Sequence, residues 1–310
     1  MQRSFVIYLF LLLAGVASAQ NYVDLAKLYY TNSQNNKFDT TSQTSDMTEV
    51  GGEILLPIPL KNGSAILTGF AYEESKLRPG PQVKDPIKLY VINPRFGINW
   101  VHNKKWTGQY MLLPQISSDL EGKLQGHDFQ LGAIGIASYK KSENLSYRFG
   151  AYYNGALYGP GTFLIAGFYY QKPESRWTFD FMLPIWADIN YKINDVFSVG
   201  LRQDDMLRSY YINDPSFSNQ DEYLVELSPD TYLYLQTAIA KNYILQFKIG
   251  HSVGRSYEVY NVGDQIDLGF SGINFGDDRN KLSTDFADGL IFQVRFHYRL
   301  FLDDYANSKN

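Results

Sequence analysis

Hydrophobic and polar residues alternate with a period of two along much of the chain. The run at 288–301 is the clearest example, and the segments 177–183 and 243–257 repeat it. In that run the apolar positions are Leu290, Phe292, Val294, Phe296, Tyr298 and Leu300, alternating with Ile291, Gln293, Arg295, His297 and Arg299. Because successive side chains of a strand point to opposite faces, each segment has one oily face and one polar face. The pattern predicts β-strands.

The length of these segments distinguishes two β architectures. Strands of a soluble β-sandwich usually run about 5–6 residues, and a second sheet covers their oily faces. A strand that crosses a membrane in a barrel needs about 9–11 tilted residues, with apolar side chains toward lipid and polar ones toward the lumen. The segments 243–257 and 288–301 exceed that length. We therefore predict an all-β, antiparallel transmembrane β-barrel, with a soluble β protein as the alternative.

Short and long connections alternate along the chain, as they do in antiparallel barrels with short periplasmic turns and long external loops. The short turns are Lys61-Asn62-Gly63, His102 to Lys105, Lys140 to Asn144, Lys172 to Ser175, Lys192 to Asp195 and Lys241-Asn242. The longer or irregular connections are Gln34 to Met47, Ser75 to Pro86, Asp119 to Gly126, Tyr158 to Gly161, Leu207 to Asp221 and Asn261 to Ala287.

One segment breaks this alternation, because two short turns flank it between Lys172 and Asp195. A bend at Pro184-Ile185-Trp186 would divide it into two short strands and restore the alternation. Proline supports a break at this point because it cannot donate to a strand ladder. The count is then about fourteen strands, with twelve as the alternative.

The first residues of the chain have the three parts of a secretory signal peptide. Arg3 follows Met1 and Gln2, an apolar run extends from Phe5 to Val16, and Ala17-Ser18-Ala19 is a small-x-small cleavage site. The apolar run is shorter than the roughly 20 residues that a membrane helix needs. We expect a cleaved signal peptide at 1–19, a barrel at 20–301 and a polar carboxyl-terminal tail at 302–310.

The composition excludes several classes of function. The chain has no Cys, which removes disulfide frameworks, thiolate metal sites and a lipidated amino-terminal Cys. Its 28 basic and 32 acidic side chains give a formal charge of −4, so a nucleic-acid partner is not expected. The expected partners are outer-membrane lipids and the barrel-insertion machinery, and no cofactor is expected.

Catalytic motifs are weak. His251 and Ser252 are adjacent and so point to opposite faces of a strand, unlike the His and Ser of outer-membrane phospholipases, which lie two apart. The acidic doublets Asp204-Asp205 and Asp277-Asp278 are expected near the outer rim, where solvated charges are common. No pair of His residues has the spacing of a metal site. We therefore expect a protein that is not an enzyme.

Charged residues on the predicted inward face are the candidates for function, since charges at that depth are costly unless they are paired or wet. The lumen-lining candidates are Glu53, Arg95, Asp128, Arg148, Asp180, Asp188, Arg202, Lys248, Arg295, His297 and Arg299. A barrel of about fourteen strands is too wide for side chains alone to fill easily. A water-filled pathway for small polar or anionic solutes is one interpretation, and a lumen closed by ion-pair networks is the other.

Several local motifs resemble a family of uncharacterised outer-membrane barrels typical of Bacteroidota-type bacteria. They are the Lys172-Pro173-Glu174-x-x-Trp177 turn, the Leu183-Pro184 pair, the Asn190-Tyr191-Lys192-Ile193-Asn194-Asp195 turn, the Ser198-Val199-Gly200-Leu201 strand and the stretch from Asp24 to Tyr30. The resemblance implies a barrel in the outer membrane of a Gram-negative bacterium. It implies no chemistry, because the family is a domain of unknown function.

One feature departs from the usual barrel pattern. Barrels often end on an aromatic residue that the insertion machinery reads, whereas here Phe301 is followed by the polar residues 302–310. The insertion signal is then internal or atypical. The function expected from the sequence is a porin-like passive pathway. The alternative is a non-transporting barrel that binds surface partners through Leu207 to Asp221 and Asn261 to Ala287.

Overall fold

A computed structural model of the chain describes residues 22–214, 221–283 and 287–301, and these contain seventeen strands and one short 3₁₀ turn at Gly126–Asp128. The predicted signal peptide and the polar tail lie outside the described residues. The strands are β1 (Tyr22–Lys37), β2 (Thr44–Pro59), β3 (Ala65–Leu77), β4 (Ile87–Val101), β5 (Trp106–Ser118), β6 (Phe129–Lys140), β7 (Leu145–Ala156), β8 (Gly159–Gln171), β9 (Trp177–Leu183), β10 (Trp186–Lys192), β11 (Phe197–Ile212), β12 (Glu222–Ala240), β13 (Tyr243–Ser252), β14 (Ser256–Asn261), β15 (Leu268–Phe270), β16 (Ile273–Phe275) and β17 (Leu290–Phe301).

Fourteen of these strands, β1 to β13 and β17, close into one antiparallel barrel. Each strand from β1 to β13 pairs with the next, and β17 pairs with β13 on one side and with β1 on the other. Closure leaves the wall without an open edge, so the backbone groups of each strand find partners in its neighbours. The predicted barrel and its count of fourteen strands are confirmed, and the alternative of twelve is wrong.

The predicted bend in the chain after β9 is also confirmed. The strand β9 ends at Leu183 and β10 begins at Trp186, with Pro184 and Ile185 forming the turn between them. Each of these two strands has seven residues, so the wall is low at this point.

The apolar half of the alternating pattern lies on the outside of the barrel. On β17 Leu290, Phe292 and Val294 are 41–56% exposed, whereas Ile291 and Gln293 are 0% and 6% exposed. Exposed apolar side chains recur around the wall and include Leu28, Ile54, Phe70, Phe96, Leu112, Phe149, Leu164, Leu201, Leu233 and Phe247. An outward apolar band of this kind is typical of barrels that face hydrocarbon. Among the described residues, no helix is long and apolar enough to cross a membrane.

The connections differ in length at the two ends of the barrel. One end, which we name the short-turn end, carries the connections 60–64, 102–105, 141–144, 172–176, 193–196 and 241–242. The other end, the long-loop end, carries 38–43, 78–86, 119–128, 157–158, 184–185, 213–221 and the chain from β13 to β17. The predicted alternation holds. Tyr158 to Gly161 is not an irregular connection, because β8 already begins at Gly159, whose positive φ of 119° suits a tight turn.

The last part of β11 leaves the wall and crosses the interior while it stays paired with residues 222–228 of β12. Its final pairing with β10 is Asp204 with Trp186, and farther on Tyr211 pairs in parallel with Ser118 of β5. Ser117 Oγ of β5 donates a hydrogen bond to the carbonyl of Ser209 at 2.7 Å. Because β5 stands on another side of the barrel, residues 206–212 of β11 bridge the lumen. We name them the crossing segment.

Apolar side chains pack against both sides of the crossing segment. On one side Tyr210 and Ile212 join a buried cluster formed by Phe38, Met47, Leu77, Ile87, Leu89, Val91, Leu224, Tyr257 and Val259. On the other side Tyr211 joins a second buried cluster formed by Ala156, Leu157, Tyr158, Tyr223, Val225, Tyr260 and Ile266. The long-loop half of the barrel is therefore filled by a hydrophobic core.

Part of the long connection between β14 and β17 is built onto the barrel wall. The wall strand β9 pairs with β8 only from Ala166 to Gln171, because β9 is short. The small strand β15 pairs in parallel with the uncovered part of β8, with Gly269 opposite Gly161 and Phe270 opposite Thr162. The predicted free loop is thus partly folded, and the β15–β16 hairpin completes the wall where β9 and β10 are too short to do so.

Candidate functional site

The interior of the barrel holds a cavity of about 1190 Å³ that opens at the short-turn end. Its mouth includes Arg176, Lys192, Asn194 and Lys241, which belong to or adjoin the short turns. The crossing segment and its two apolar clusters occupy the opposite half. The described residues therefore form a vestibule that reaches into the barrel from one side.

Most of the lumen candidates predicted from the sequence meet in this cavity. Nine of them line it, namely Glu53, Arg95, Arg148, Asp180, Asp188, Arg202, Arg295, His297 and Arg299. Lys248 lies on the same inward face of β13 as Gln246, with its side chain fully buried. The structure thus brings ten of the eleven candidates into one charged interior.

Asp128 is the exception. It lies in the 3₁₀ turn before β6, not in a strand, and its carboxylate accepts a hydrogen bond from the backbone N–H of Gln125. β6 begins only at Phe129, so the alternation of inward and outward positions does not include Asp128. The prediction that Asp128 lines the lumen is therefore wrong. In the same connection, burial raises the pKa of Asp119, whose carboxylate accepts N–H bonds from Glu121, Asn213 and Asp214.

Three charged residues of the charged groups in the vestibule, Asp24, Lys27 and Asp204, are not among the lumen candidates predicted from the sequence. Asp24 and Lys27 lie three positions apart, a spacing that places side chains on opposite faces of a regular strand. Both nevertheless line the cavity, because the register of β1 shifts between Asp24 and Ala26. Such a bulge inserts an extra residue, which reverses the inward and outward positions. Asp204 was expected near the outer rim, but it lies inside β11, which continues to Ile212.

Two groups of ion pairs stand near the short-turn end. In the first, Asp24 accepts a hydrogen bond from Arg299 Nε at 2.7 Å and lies 3.1 Å from Nδ1 of His297. The guanidinium of Arg299 also stands 3.7 Å from the ring centre of Tyr22. In the second, Glu53 is 2.6 Å from both Lys27 and Arg95. Asp24 balances Arg299 in the first group, whereas the single carboxylate of Glu53 faces two cations in the second, which keeps a net charge of +1.

A third group, deeper in the cavity, also has one more cation than carboxylates, and two of its contacts are longer. Arg202 contacts Asp188 at 2.9 Å and Asp204 Oδ1 at 2.7 Å. The other oxygen of Asp204, Oδ2, is 3.4 Å from Arg295 Nη2 and 3.6 Å from Lys248 Nζ. Arg295 Nε and Lys248 Nζ have no hydrogen-bond acceptor among the described residues. Two cations therefore share one carboxylate oxygen at long distance.

The vestibule as a whole has an excess of positive charge. Apart from the charged residues at the mouth (Arg176, Lys192, Asp195 and Lys241), seven basic side chains in the lining or directly behind it face five carboxylates. The basic residues are Lys27, Arg95, Arg148, Arg202, Lys248, Arg295 and Arg299, and the acidic ones are Asp24, Glu53, Asp180, Asp188 and Asp204. A low-dielectric wall concentrates such a field. The described lining therefore carries a net positive formal charge.

One side of the same cavity is apolar. Leu55, Leu67, Met111 and Ile136, from β2, β3, β5 and β6, all line it. They pack on neighbouring inward-facing apolar residues such as Ala65 and Ile134. The vestibule thus has an apolar patch on β2, β3, β5 and β6, which lies beside the Glu53–Arg95 ion pair of β2 and β4.

Polar side chains also lie within the filled half. Glu73 forms an ion pair with Arg208 of the crossing segment and accepts a hydrogen bond from the Tyr29 hydroxyl. Glu226 accepts hydrogen bonds from Tyr210 and Tyr257, each at 2.9 Å. The Arg208–Glu73 pair ties the crossing segment to the wall strand β3, and the bonds to Glu226 join it to β12 and β14.

The described residues contain no group of three or more His, Asp and Glu side chains placed to hold a metal ion.

Ser252 is fully buried and its Oγ accepts a hydrogen bond from Gly289 N at 3.2 Å, whereas His251 is exposed on the other face of β13. The two side chains do not meet, as their spacing predicted.

The closed wall, the apolar exterior and the charged interior define a fourteen-stranded transmembrane-type β-barrel. The chain belongs to the family described as a domain of unknown function, DUF6268, whose model matches residues 16–262. That match ends before β17, the strand that closes the barrel. No curated protein matches the chain.

Solved structures of barrel proteins are similar to the chain at low identity. The NanC porin aligns with 8% identity over 89% of this chain and 100% of its own, with a TM-score of 0.36. The toluene transporter TodX of Pseudomonas putida aligns with 11% identity over 88% of each chain, with a TM-score of 0.36. OprB of the same organism aligns with 11% identity over 90% of this chain and 94% of its own, with a TM-score of 0.33.

Proposed function

We propose that this protein is a porin-like barrel of the bacterial outer membrane that admits small polar or anionic solutes to its lumen without catalysis. The observation that carries the proposal is the vestibule of about 1190 Å³, which is open at the short-turn end and has an excess of basic side chains. The apolar band around the wall supports a membrane location. The motifs between Lys172 and Leu201 support an origin in Bacteroidota-type bacteria.

The proposed orientation follows from the lengths of the connections. In bacterial barrels the short turns face the periplasm and the long loops face the exterior. The vestibule would then open toward the periplasm, and the crossing segment would close the outer half. We propose that residues 1–19 are a signal peptide that directs export and is then cleaved. Residues 20–301 then form the barrel, and residues 302–310 are its carboxyl-terminal tail.

Passage through the barrel requires the crossing segment to move, because this segment extends across the lumen from the wall part of β11 to β5. We therefore propose a gated pathway whose closed state is the one described above. Gating by an element inside the barrel needs two arrangements of that element that differ by only a few kcal/mol.

Replacing Arg295 and Arg299 with Ala is expected to shift the ion selectivity of any openings toward cations, because both guanidinium groups line the vestibule. The single change Arg295→Ala should produce most of the shift, since Arg299 is already neutralised by Asp24 at 2.7 Å. Reversal potentials in a tenfold KCl gradient measure the effect.

The matched control for this test is Lys88→Ala, which removes an exposed cation of β4 that pairs with Glu74 at 3.1 Å outside the vestibule. It should leave the reversal potential unchanged. Equal selectivity in wild type, control and the Arg295 variant would remove the basic residues from the mechanism.

A second candidate function is a non-transporting barrel that acts through its long-loop end. The specific observation in its favour is the hydrophobic core around the crossing segment, which fills the outer half. Under this proposal a folded barrel never conducts. Ala substitution of exposed residues in the connection between β14 and β17, such as Asp278 and Asn280, abolishes capture of a surface partner while folding persists.

A further inference from the structure

The deepest charged group of the vestibule contains a guanidinium whose hydrogen-bonding capacity is only partly used. Arg295 reaches one oxygen of Asp204 at 3.4 Å through Nη2, and its Nε has no acceptor among the described residues. Nε and Nη2 are the two donors on one edge of the guanidinium. This edge matches the two oxygens of a carboxylate in a bidentate geometry.

The surroundings of Arg295 add positive charge without supplying another acceptor. Lys248 is fully buried behind it, 3.6 Å from the same oxygen of Asp204, and its Nζ also has no hydrogen-bond acceptor in the described part of the chain. Arg202 already occupies the other oxygen of Asp204. A buried cation that is incompletely paired is costly, so an incoming anion at this point relieves an existing deficit.

The apolar wall of the same cavity supplies the second half of a binding site. Leu55, Leu67, Met111 and Ile136 line the vestibule together with Arg295. Pro57 and Ala65, which lie at the ends of β2 and β3 beside the short turn 60–64, continue this wall toward the mouth. A hydrocarbon chain placed along it would be removed from water, which is favourable in proportion to the apolar area buried.

We infer that the vestibule binds amphipathic carboxylates, with the carboxylate at the guanidinium of Arg295 and the apolar chain along the patch formed by Leu55, Leu67, Met111 and Ile136. The inference rests on the proposed function, because it names the solute class of the same cavity. Arg295 contacts the ligand, and Lys248 contributes charge from behind it.

The test uses the folded protein in nanodiscs of zwitterionic lipid, with empty nanodiscs as the measure of partition into lipid. Octanoate, acetate and octan-1-ol are titrated by equilibrium dialysis. Octanoate has both the head and the chain, acetate has only the head, and octan-1-ol has only the chain. We expect saturable binding of octanoate, at least tenfold weaker binding of acetate, and no saturable binding of octan-1-ol.

Three variants assign the site. Arg295→Gln should weaken octanoate binding at least tenfold. The affinity of Arg295→Lys should lie between those of the wild type and Arg295→Gln, because Lys keeps the charge but lacks the planar pair of donors. Met111→Gln should weaken octanoate but not acetate. Lys88→Gln, on the outside of the barrel, should bind as the wild type does. Heat-modifiable migration in electrophoresis checks that each variant has folded.

Two results would overturn the inference. The first is octanoate binding that is unchanged in folded Arg295→Gln, and the second is acetate binding as tight as that of octanoate, which would leave the apolar wall without a role. Conductance separates this proposal from the porin-like function. Saturable binding in a barrel that never conducts would support the site and contradict the pathway, and anion-selective openings without octanoate binding would do the reverse.

Discussion

Leu224→Asp is expected to open the barrel. Leu224 is 0% exposed in the cluster that packs on one side of the crossing segment, together with Leu77, Leu89 and Tyr210. Truncation of a buried Leu costs about 2–5 kcal/mol, and burial of an unpaired carboxylate adds a further cost. The filled half should loosen while the hydrogen-bonded wall remains closed. Single-channel recording should show frequent openings where the wild type shows few.

The matched control is Leu124→Asp, since Leu124 is 54% exposed in the connection between β5 and β6 at the same end of the barrel. It should behave as the wild type does. If Leu224→Asp folds into a heat-modifiable barrel and conducts no more than this control, the crossing segment and its apolar cluster do not close a pathway.

Arg208→Ala is expected to lower the stability of the barrel strongly. Arg208 forms an ion pair with Glu73, whose side chain is only 4% exposed. Glu49 and Glu226, both buried, also lie close enough to interact with Arg208 electrostatically. Removing one partner of a buried ion pair costs about 3–5 kcal/mol, because it leaves an uncompensated charge. The free energy of unfolding, measured by urea titration in lipid vesicles, should fall by that amount.

The control for this experiment is Lys88→Ala, which breaks the exposed pair with Glu74. Exposed ion pairs contribute little because water and salt screen them, so its unfolding curve should overlay that of the wild type. If the unfolding curve of Arg208→Ala also overlays that of the wild type, the negative charge of Glu73 does not need Arg208 to balance it.

The wall of the barrel follows from local patterns that the sequence displays directly. Alternation along 288–301 predicts β17 and its lipid face, and Pro184 predicts the division into β9 and β10. Both are governed by short-range rules, namely the period of a strand and the missing N–H of proline. The same alternation places charged residues on the inward face, so the sequence predicts ten of the charged residues found in the vestibule.

The errors arise where the period breaks or where distant parts of the chain meet. The register shift after Asp24 reverses the faces of β1, so Asp24 and Lys27 could not both be assigned by counting. The crossing segment depends on a pairing between Tyr211 and Ser118, which are far apart in sequence. Likewise, β15 pairs with β8 only because β9 is short. Nothing in the local sequence of 206–212 or 268–270 indicates these partners.

The central claim is that the charged vestibule belongs to an anion-favouring pathway that the crossing segment closes. The most direct test is single-channel recording of the folded wild type and Leu224→Asp in a planar bilayer across a tenfold KCl gradient. The expected result is rare openings of the wild type and frequent openings of the variant, both with a reversal potential that favours chloride. Folded barrels that never conduct in either form, or that prefer potassium, would contradict it.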